Sequence, residues 1–283
     1  MTEFVLTQER RAELGSLLDD ESKFQADYPK VADYLTMAPG LSGTGDEGVD
    51  RAFDVRLLHF MTGGESANPY WDIVGPLVNV GPPERGGRRE VNGGQSNGSA
   101  RLAYAQMLLQ EAYAYAIPSP ATVSWIATAC DGTGVIELGA GRGYWAQLLS
   151  DSGLDVLAFD SEPPGAAQNV SFPDASGVRD TWHAVDGLDD FDRVAEAGEL
   201  SRRTLFLCWP PGWGDAMSHE ALARYAAAGG RRVIYVGEPK GGKTGSDEYF
   251  DMLDREWRLE DRDQSFVSWW NLNDRAELWV PRT

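Results

Sequence analysis

Cysteine and histidine are scarce in this chain, and basic residues are outnumbered. Cys130 and Cys208 are the only cysteines, too few for a disulfide framework. Cys208 lies inside an apolar strand pattern, where it packs as a small hydrophobe, and a reducing, cytoplasmic setting fits. The three histidines, His59, His183 and His219, stand far apart without cysteines or paired carboxylates at ligand spacing, so no metal site is expected. No apolar run approaches the roughly eighteen residues of a membrane span, and the N-terminus has no basic segment leading into an apolar core. The expectation is a soluble, unprocessed protein with no membrane partner.

Positive charge is also deficient. Forty-four acidic residues against 25 basic ones leave a net charge of −19 over 283 residues. Such a surface repels phosphate backbones, and only short basic groups such as Arg88 with Arg89 and Arg231 with Arg232 interrupt it. Nucleic acid is therefore not an expected partner. The length suits one large domain or a core domain with an added subdomain.

Residues 134–145 read GVIELGAGRGYW, a short apolar strand running into Glu137-x-Gly139-x-Gly141-x-Gly143. The spacing differs from the G-x-G-x-x-G of dinucleotide enzymes, whose third glycine lets a helix start beneath a pyrophosphate. It points instead to S-adenosylmethionine, which has no phosphate and carries a sulfonium and an amino acid. The glycines then serve to bring bare backbone close to the ligand. An acidic residue should close the next strand, about twenty residues on, to hold the ribose hydroxyls. Asp160, at the end of DVLAFD, stands there.

These residues resemble the first motif of the class I adenosylmethionine-dependent methyltransferases. The resemblance implies that Glu137, Gly139, Gly141 and Gly143 line the methionine end, that Asp160 holds the ribose, and that Ala140, Tyr144 and Ser161 also belong to the cofactor site. It also implies S-adenosylhomocysteine as the product. The chain is similar, further, to a largely uncharacterised group of these enzymes with IPSP before the first motif, WPP after the fourth strand, and VGE with a GG-x-TG turn after the fifth. Here these are Tyr115 with Ile117 to Pro120, Trp209 to Pro211, Gly237 with Glu238, and Gly241 to Gly245. On that match Tyr115, Trp209 and Pro210 join the cofactor site, and nothing about the acceptor is implied.

From residue 134 onward, strand-like runs alternate with helical stretches, which argues for a parallel sheet covered on both faces. The expected strands are Val135 to Leu138, Val156 to Phe159, Trp182 to Val185, Thr204 to Cys208 and Val233 to Val236. Trp257 to Trp270 and Ala276 to Val280 should close the sheet as an antiparallel hairpin. With the resemblance, the fold class is α/β: a Rossmann-like, seven-stranded, mostly parallel sheet over residues 118–283. Residues 1–117 form a mainly helical cap, with helices over Thr7 to Leu18 and Ser99 to Tyr115. The glycine-rich stretch 81–99 buries little and reads either as a mobile connector or as a lid. Ser119 caps a helix whose first residue is Pro120.

In an open parallel sheet the ligand lies across the carboxyl ends of the strands. The fourth-strand loop, CWPPGW, departs from the D/N-P-P-Y of amino-methylating relatives: Trp209 replaces the acid or amide and Gly212 the tyrosine. N-methylation therefore does not follow from it, although Trp209 or Trp213 offers a π face to a cation or planar substrate. Methyl transfer from a sulfonium needs alignment and exclusion of water, and a base where the acceptor is a hydroxyl or ammonium. Candidates for that base at strand ends are His183, Asp186 and Glu238, and the three residues expected to act in catalysis are His183, Glu238 and Trp209. Gly237 to Thr244 also matches G-x-x-x-x-G-K-T letter for letter. Only 39 residues follow Thr244, too few for the strands such a nucleotide-binding domain adds, so a substrate-facing loop is expected, with Thr244 or Ser246 capping the next helix. The expected function is methyl transfer to oxygen or nitrogen of a small or medium-sized organic acceptor, with a homodimer left open. Alternatives are a non-catalytic adenosylmethionine-binding module and a protein or peptide methyltransferase.

Overall fold

A computed structural model of the protein describes residues 4–165 and 179–282. Five helices come first: α1 (Gln8–Asp19), α2 (Glu21–Asp27), α3 (Pro29–Met37), α4 (Glu47–Met61) and α5 (Pro69–Val74). Two short strands follow, β1 (Val78–Val80) and β2 (Arg89–Val91), then α6 (Ala100–Ala112) and α7 (Pro120–Ala129). The remainder alternates: β3 (Gly134–Leu138), α8 (Tyr144–Asp151), β4 (Val156–Phe159), α9 (Leu188–Glu196), β5 (Arg203–Cys208), α10 (Met217–Ala227), β6 (Val233–Gly237) and α11 (Asp247–Glu256). It closes with β7 (Trp257–Arg262), β8 (Val267–Trp269) and β9 (Arg275–Pro281). Side-chain caps begin the helices where short polar residues lead into them: the Thr7 hydroxyl accepts from Arg10 N–H, that of Ser99 from Leu102 N–H, that of Ser119 from Thr122 N–H and that of Ser246 from Tyr249 N–H.

The main sheet has strand order β4-β3-β5-β6-β9-β7. Its first four strands are parallel, and β9 is inserted antiparallel between β6 and β7. This is a mostly parallel, Rossmann-like arrangement. Successive residues point to opposite faces. On β5, Phe206 faces one core while Leu205 and Leu207 face the other; on β6, Ile234 and Val236 oppose Val233 and Tyr235. The first core is shared with residues of α3 to α8, and the second with α9, α10 and α11.

Three sequence expectations change. The stretch Trp182 to Val185 is not a strand, so the sheet has six strands among the described residues rather than seven. Trp182 donates its backbone N–H to Arg142 at 2.8 Å and turns its ring onto Tyr144 at 4.9 Å. Aromatic packing thus displaces ladder pairing, and only Asp186 bridges Phe159. The run Trp257 to Trp270 is two strands. Asp263 is buried, accepts the Thr122 hydroxyl at 2.7 Å and Ser265 N–H at 2.7 Å, and so breaks the ladder. After it, β8 pairs in parallel with β2 in a second sheet of order β1-β2-β8.

The third change concerns residues 81–99, which are built into the structure rather than hanging from it. Arg88 ties them to the C-terminal segment through Asn273 Oδ1 at 2.8 Å and the Leu272 carbonyl, and its Nε holds fully buried Glu90 at 2.9 Å. Gly98, at φ +60°, lies so close to Trp270 that an added Cβ would meet the ring at 2.2 Å. By contrast Gly86, at φ +80°, has open space around it. Gly86→Ala should therefore cost about 1 kcal/mol of left-handed strain, and Gly98→Ala roughly 2–4 kcal/mol because overpacking adds to it. Urea unfolding midpoints compare the two. Equal shifts would mean that the contact with Trp270 is not formed in solution.

Candidate functional site

The chain leaves β3 through a turn in which every second residue is left-handed: Gly139 at φ +78°, Gly141 at +54° and Gly143 at +73°. L-residues with a Cβ pay for each such position, which accounts for the glycine at alternate places. The N–H groups of Gly139 and Ala140 reach the carbonyl of Phe159 at 2.9 and 3.1 Å, tying the turn to the end of β4. Gly141 N–H donates to Asp160 Oδ2 at 2.8 Å, and Glu162 N–H to Oδ1 at 2.9 Å. The Asp160 carboxylate is thereby fixed on the rim of the turn. Gly143 serves packing: a Cβ there would lie 2.9 Å from the His183 carbonyl.

A cavity of about 920 Å³ opens at the carboxyl ends of β3, β4 and β5. Of the residues expected to hold cofactor, Tyr115, Glu137, Gly139, Ala140, Tyr144, Asp160, Ser161, Trp209 and Pro210 all line it. Gly141 and Gly143 do not line it; they shape the turn beside it. Glu137 is 2 % exposed. Burial, then the nearby Asp160 charge, push its pKa up to about 8, against the pull of the Ala146 backbone.

The wall after β5 departs from ordinary backbone geometry. Trp209 is left-handed at φ +54°, its N–H donates to the Val236 carbonyl at 2.7 Å, and its ring stacks on Tyr115 with centroids 5.2 Å apart and planes 12° from parallel. Trp213, also left-handed at φ +52°, is 83 % exposed at the cavity's edge. Below Trp209 lies Asp274, 5 % exposed, with neither carboxyl oxygen hydrogen-bonded. Burial raises its pKa to about 7; the Trp209 indole opposes that rise from a position short of hydrogen-bond geometry, and the neighbouring Glu238 charge adds to it.

Two of the three residues expected to act in catalysis lie away from the cavity. His183 packs behind the glycine turn, beside Gly143. Glu238 is buried, with Oε2 accepting Lys243 N–H at 2.7 Å and Oε1 accepting Asn273 N–H at 2.9 Å, so it stitches two loops together. The same stitching disposes of the phosphate-loop match. Thr244 Oγ1 is buried between Glu238 N–H at 2.8 Å and the Tyr235 hydroxyl at 2.7 Å, while Gly242 N–H turns back to the Pro239 carbonyl at 2.8 Å. A phosphate cradle needs those amides and that hydroxyl turned outward. Trp209 alone of the three faces the cavity.

Other lining residues escape a motif-based reading. Tyr113, Trp145 and Cys208 sit among residues that read as core, and Leu188, Phe191 and Asp192 come from α9. Met217, Glu220, Ala221 and Arg224 line the cavity from α10. Their spacing of three, one and three residues marks one helix face, a signal present in the sequence but hidden by its mixture of charge and apolarity. Arg224 lies 4.8 Å from the centre of the Phe191 ring and pairs with Asp192. Among the described residues no three metal-ligating side chains gather, and no helix is long and apolar enough to cross a membrane.

No protein-family model and no curated protein matches the sequence. Remote likeness to solved structures exists. The CcbJ methyltransferase from Streptomyces caelestis is 13 % identical over 59 % of this chain and 92 % of its own, with a TM-score of 0.34. The magnesium protoporphyrin IX methyltransferase of Synechocystis, solved with bound SAM, is 14 % identical over 64 % of this chain and 82 % of its own, with a TM-score of 0.32. The antibiotic-resistance methyltransferase Kmr is 15 % identical over 59 % and 96 %, with a TM-score of 0.28.

The buried Glu137 carboxyl sets a pH dependence. Its pKa in the fold, about 8, lies above its ordinary value of 4.5. Stability from this group is thus fully present below about pH 4.5 and falls as the pH rises towards 8, because the unfolded chain releases the proton first. Glu137→Gln should raise the melting temperature at about pH 9 and leave it nearly unchanged at about pH 4. A thermal scan at the two pH values checks this, and an equal shift at both would rule out charge burial as the cause.

Proposed function

We propose that the protein transfers a methyl group from S-adenosylmethionine to oxygen or nitrogen of a small or medium-sized organic acceptor, releasing S-adenosylhomocysteine. The observation that carries this reading is the run of three left-handed glycines between a buried carboxyl, Glu137, and a carboxylate, Asp160, fixed at the end of the next strand. The lining suits a cationic nucleoside better than a pyrophosphate: six carboxyl groups, those of Glu137, Asp160, Glu162, Asp192, Asp215 and Glu220, and several aromatic faces outweigh the two basic side chains, Arg224 and Lys243. In this reading Glu137 meets an ammonium, Asp160 the ribose hydroxyls, and the Gly139–Ala140 backbone allows close approach. When bound, the cofactor supplies a methyl group on a sulfonium, which a nucleophile takes by direct displacement.

The chain's own residues then have to align the acceptor and exclude water. Residues 1–117 form a cap in this proposal, supported by Tyr113 and Tyr115 lining the cavity and by the stack of Tyr115 on Trp209. Trp209 acts as a flat wall. Neither His183 nor Glu238 is retained as a base, since the first packs behind the turn and the second has both oxygens engaged.

One observation favours a second reading, a non-catalytic adenosylmethionine-binding module: Trp209 occupies the loop position where amino-methylating relatives place a polar acceptor. Titration calorimetry with S-adenosylmethionine and S-adenosylhomocysteine, followed by transfer assays with methyl-labelled cofactor and a metabolite panel, separates the readings. Binding of both nucleosides with transfer is expected, and binding without transfer to any acceptor would support the module. Asp160→Ala should weaken both nucleosides about tenfold or more, since it removes charged hydrogen bonds. A signal from ATP with none from either nucleoside would overturn the proposal.

A further inference from the structure

The loop after β5 is anchored at its start and exposed at its tip. Gly245 N–H donates to the Pro210 carbonyl at 3.0 Å, Pro211 bridges Thr244, and a Cβ on Gly212 would lie 2.7 Å from the Lys243 carbonyl. The backbone up to Gly212 is thereby pinned against the loop after β6. Beyond it the chain makes a tight turn, closed by Asp215 N–H to the Gly212 carbonyl at 3.3 Å. Both central residues of this turn are left-handed, Trp213 at φ +52° and Gly214 at +87°. Turns with two such residues favour glycine, asparagine or aspartate at both places, because other side chains crowd the backbone there. Gly214 fits that demand and Trp213 does not.

Packing does not account for the misfit, since Trp213 is 83 % exposed. An exposed ring alone would call for no explanation. This one is held in strained backbone and lines the cavity, a combination that marks a residue kept for a ligand rather than for the fold. Its neighbours define the charge of that ligand. Asp215, two residues on, and Glu220, on the inner face of α10, line the same cavity. Asp215 Oδ1 accepts Met217 N–H at 2.8 Å, which holds its carboxylate at the start of α10. Of the two basic residues in the lining, Arg224 is already paired with Asp192, and Lys243 is the other. An indole beside carboxylates attracts a cation through the ring's electrons and through charge together.

We infer that Trp213, with the carboxylates of Asp215 and Glu220, holds a positively charged group of the acceptor, an ammonium or another organic cation. That group is a binding handle, separate from the atom that takes the methyl. The inference rests on the methyl-transfer reading and narrows its acceptor to molecules that are cationic near neutral pH. Neutral planar molecules, which could only stack on the ring, are then poor ligands.

The test is calorimetry on protein saturated with S-adenosylhomocysteine, using two probes of similar size: 2-phenylethylamine, a cation at neutral pH, and 2-phenylethanol, which is neutral. Wild type should bind the amine about fivefold or more tighter than the alcohol. Trp213→Gly should weaken the amine about fivefold, and Glu220→Gln about twofold or more, with S-adenosylhomocysteine affinity within about twofold of wild type in both. The melting temperature of Trp213→Gly should not fall, because glycine suits the left-handed turn and the exposed ring contributes little packing. Equal affinity of wild type for the two probes, no binding of the amine, undiminished amine affinity in either variant, or a lower melting temperature in Trp213→Gly would overturn the inference and leave the cofactor reading standing. Wild-type protein that does not bind S-adenosylhomocysteine would overturn both.

Discussion

The structure around the cavity depends on one hydrogen bond, from the backbone N–H of Gly141 to the carboxylate of Asp160 at 2.8 Å. It joins the loop leaving β3 to the residue that ends β4, and it is available only because Gly141 is left-handed. With a Cβ in that conformation the turn would relax and swing the amide away. The carboxylate would lose its place on the rim. Gly143 then begins α8 against the backbone of His183, so the same turn also sets how the segment after β4 approaches the sheet.

A second constraint is the cost of burying carboxyl groups at one end of a sheet. Glu137, Asp274 and Glu238 are all largely withdrawn from solvent, and each meets that cost differently. Glu238 is satisfied by two backbone amides and gives the loops after β6 and before β9 a fixed relation. Asp274 has no hydrogen-bond partner and Glu137 keeps one oxygen unpartnered, with the Ala146 backbone only partly offsetting its burial, and they hold their protons more tightly, to about 7 and about 8. Groups that change charge near neutral pH, beside a cavity, are suited to answering a ligand's charge. Glu238, buried away from the cavity with an amide on each oxygen, is not.

Much of the fold was legible because it depends on local patterns. Val156–Phe159 is the strand that its apolar run implied, and Ser99, Ser119 and Ser246 cap helices as short polar side chains do. The glycine turn and Asp160 were legible for the same reason, since backbone chirality restricts which residues can occupy them. What was hidden depends on partners far away in sequence. Asp263 splits the expected strand Trp257 to Trp270 where Thr122 meets its carboxylate, and residues 81–99 look weakly structured until Asn273 and Trp270 are brought to them. His183 was a candidate by its place at the expected third strand, but Trp182 gives up that strand for an aromatic cluster.

The same cluster explains why residues 112–117 matter more than their composition suggests. Tyr113 turns towards Tyr70, Tyr144 and Trp182, while Tyr115, two residues on, stacks on Trp209. A short segment between α6 and α7 therefore touches the loops after β3 and after β5 at once, and side chains two apart serve different walls of the cavity. The N–H of Trp209 to the Val236 carbonyl fixes its left-handed backbone, so its ring can follow Tyr115 only by turning about its own side-chain torsions. The cavity's shape is governed from the N-terminal side as much as by the sheet that frames it.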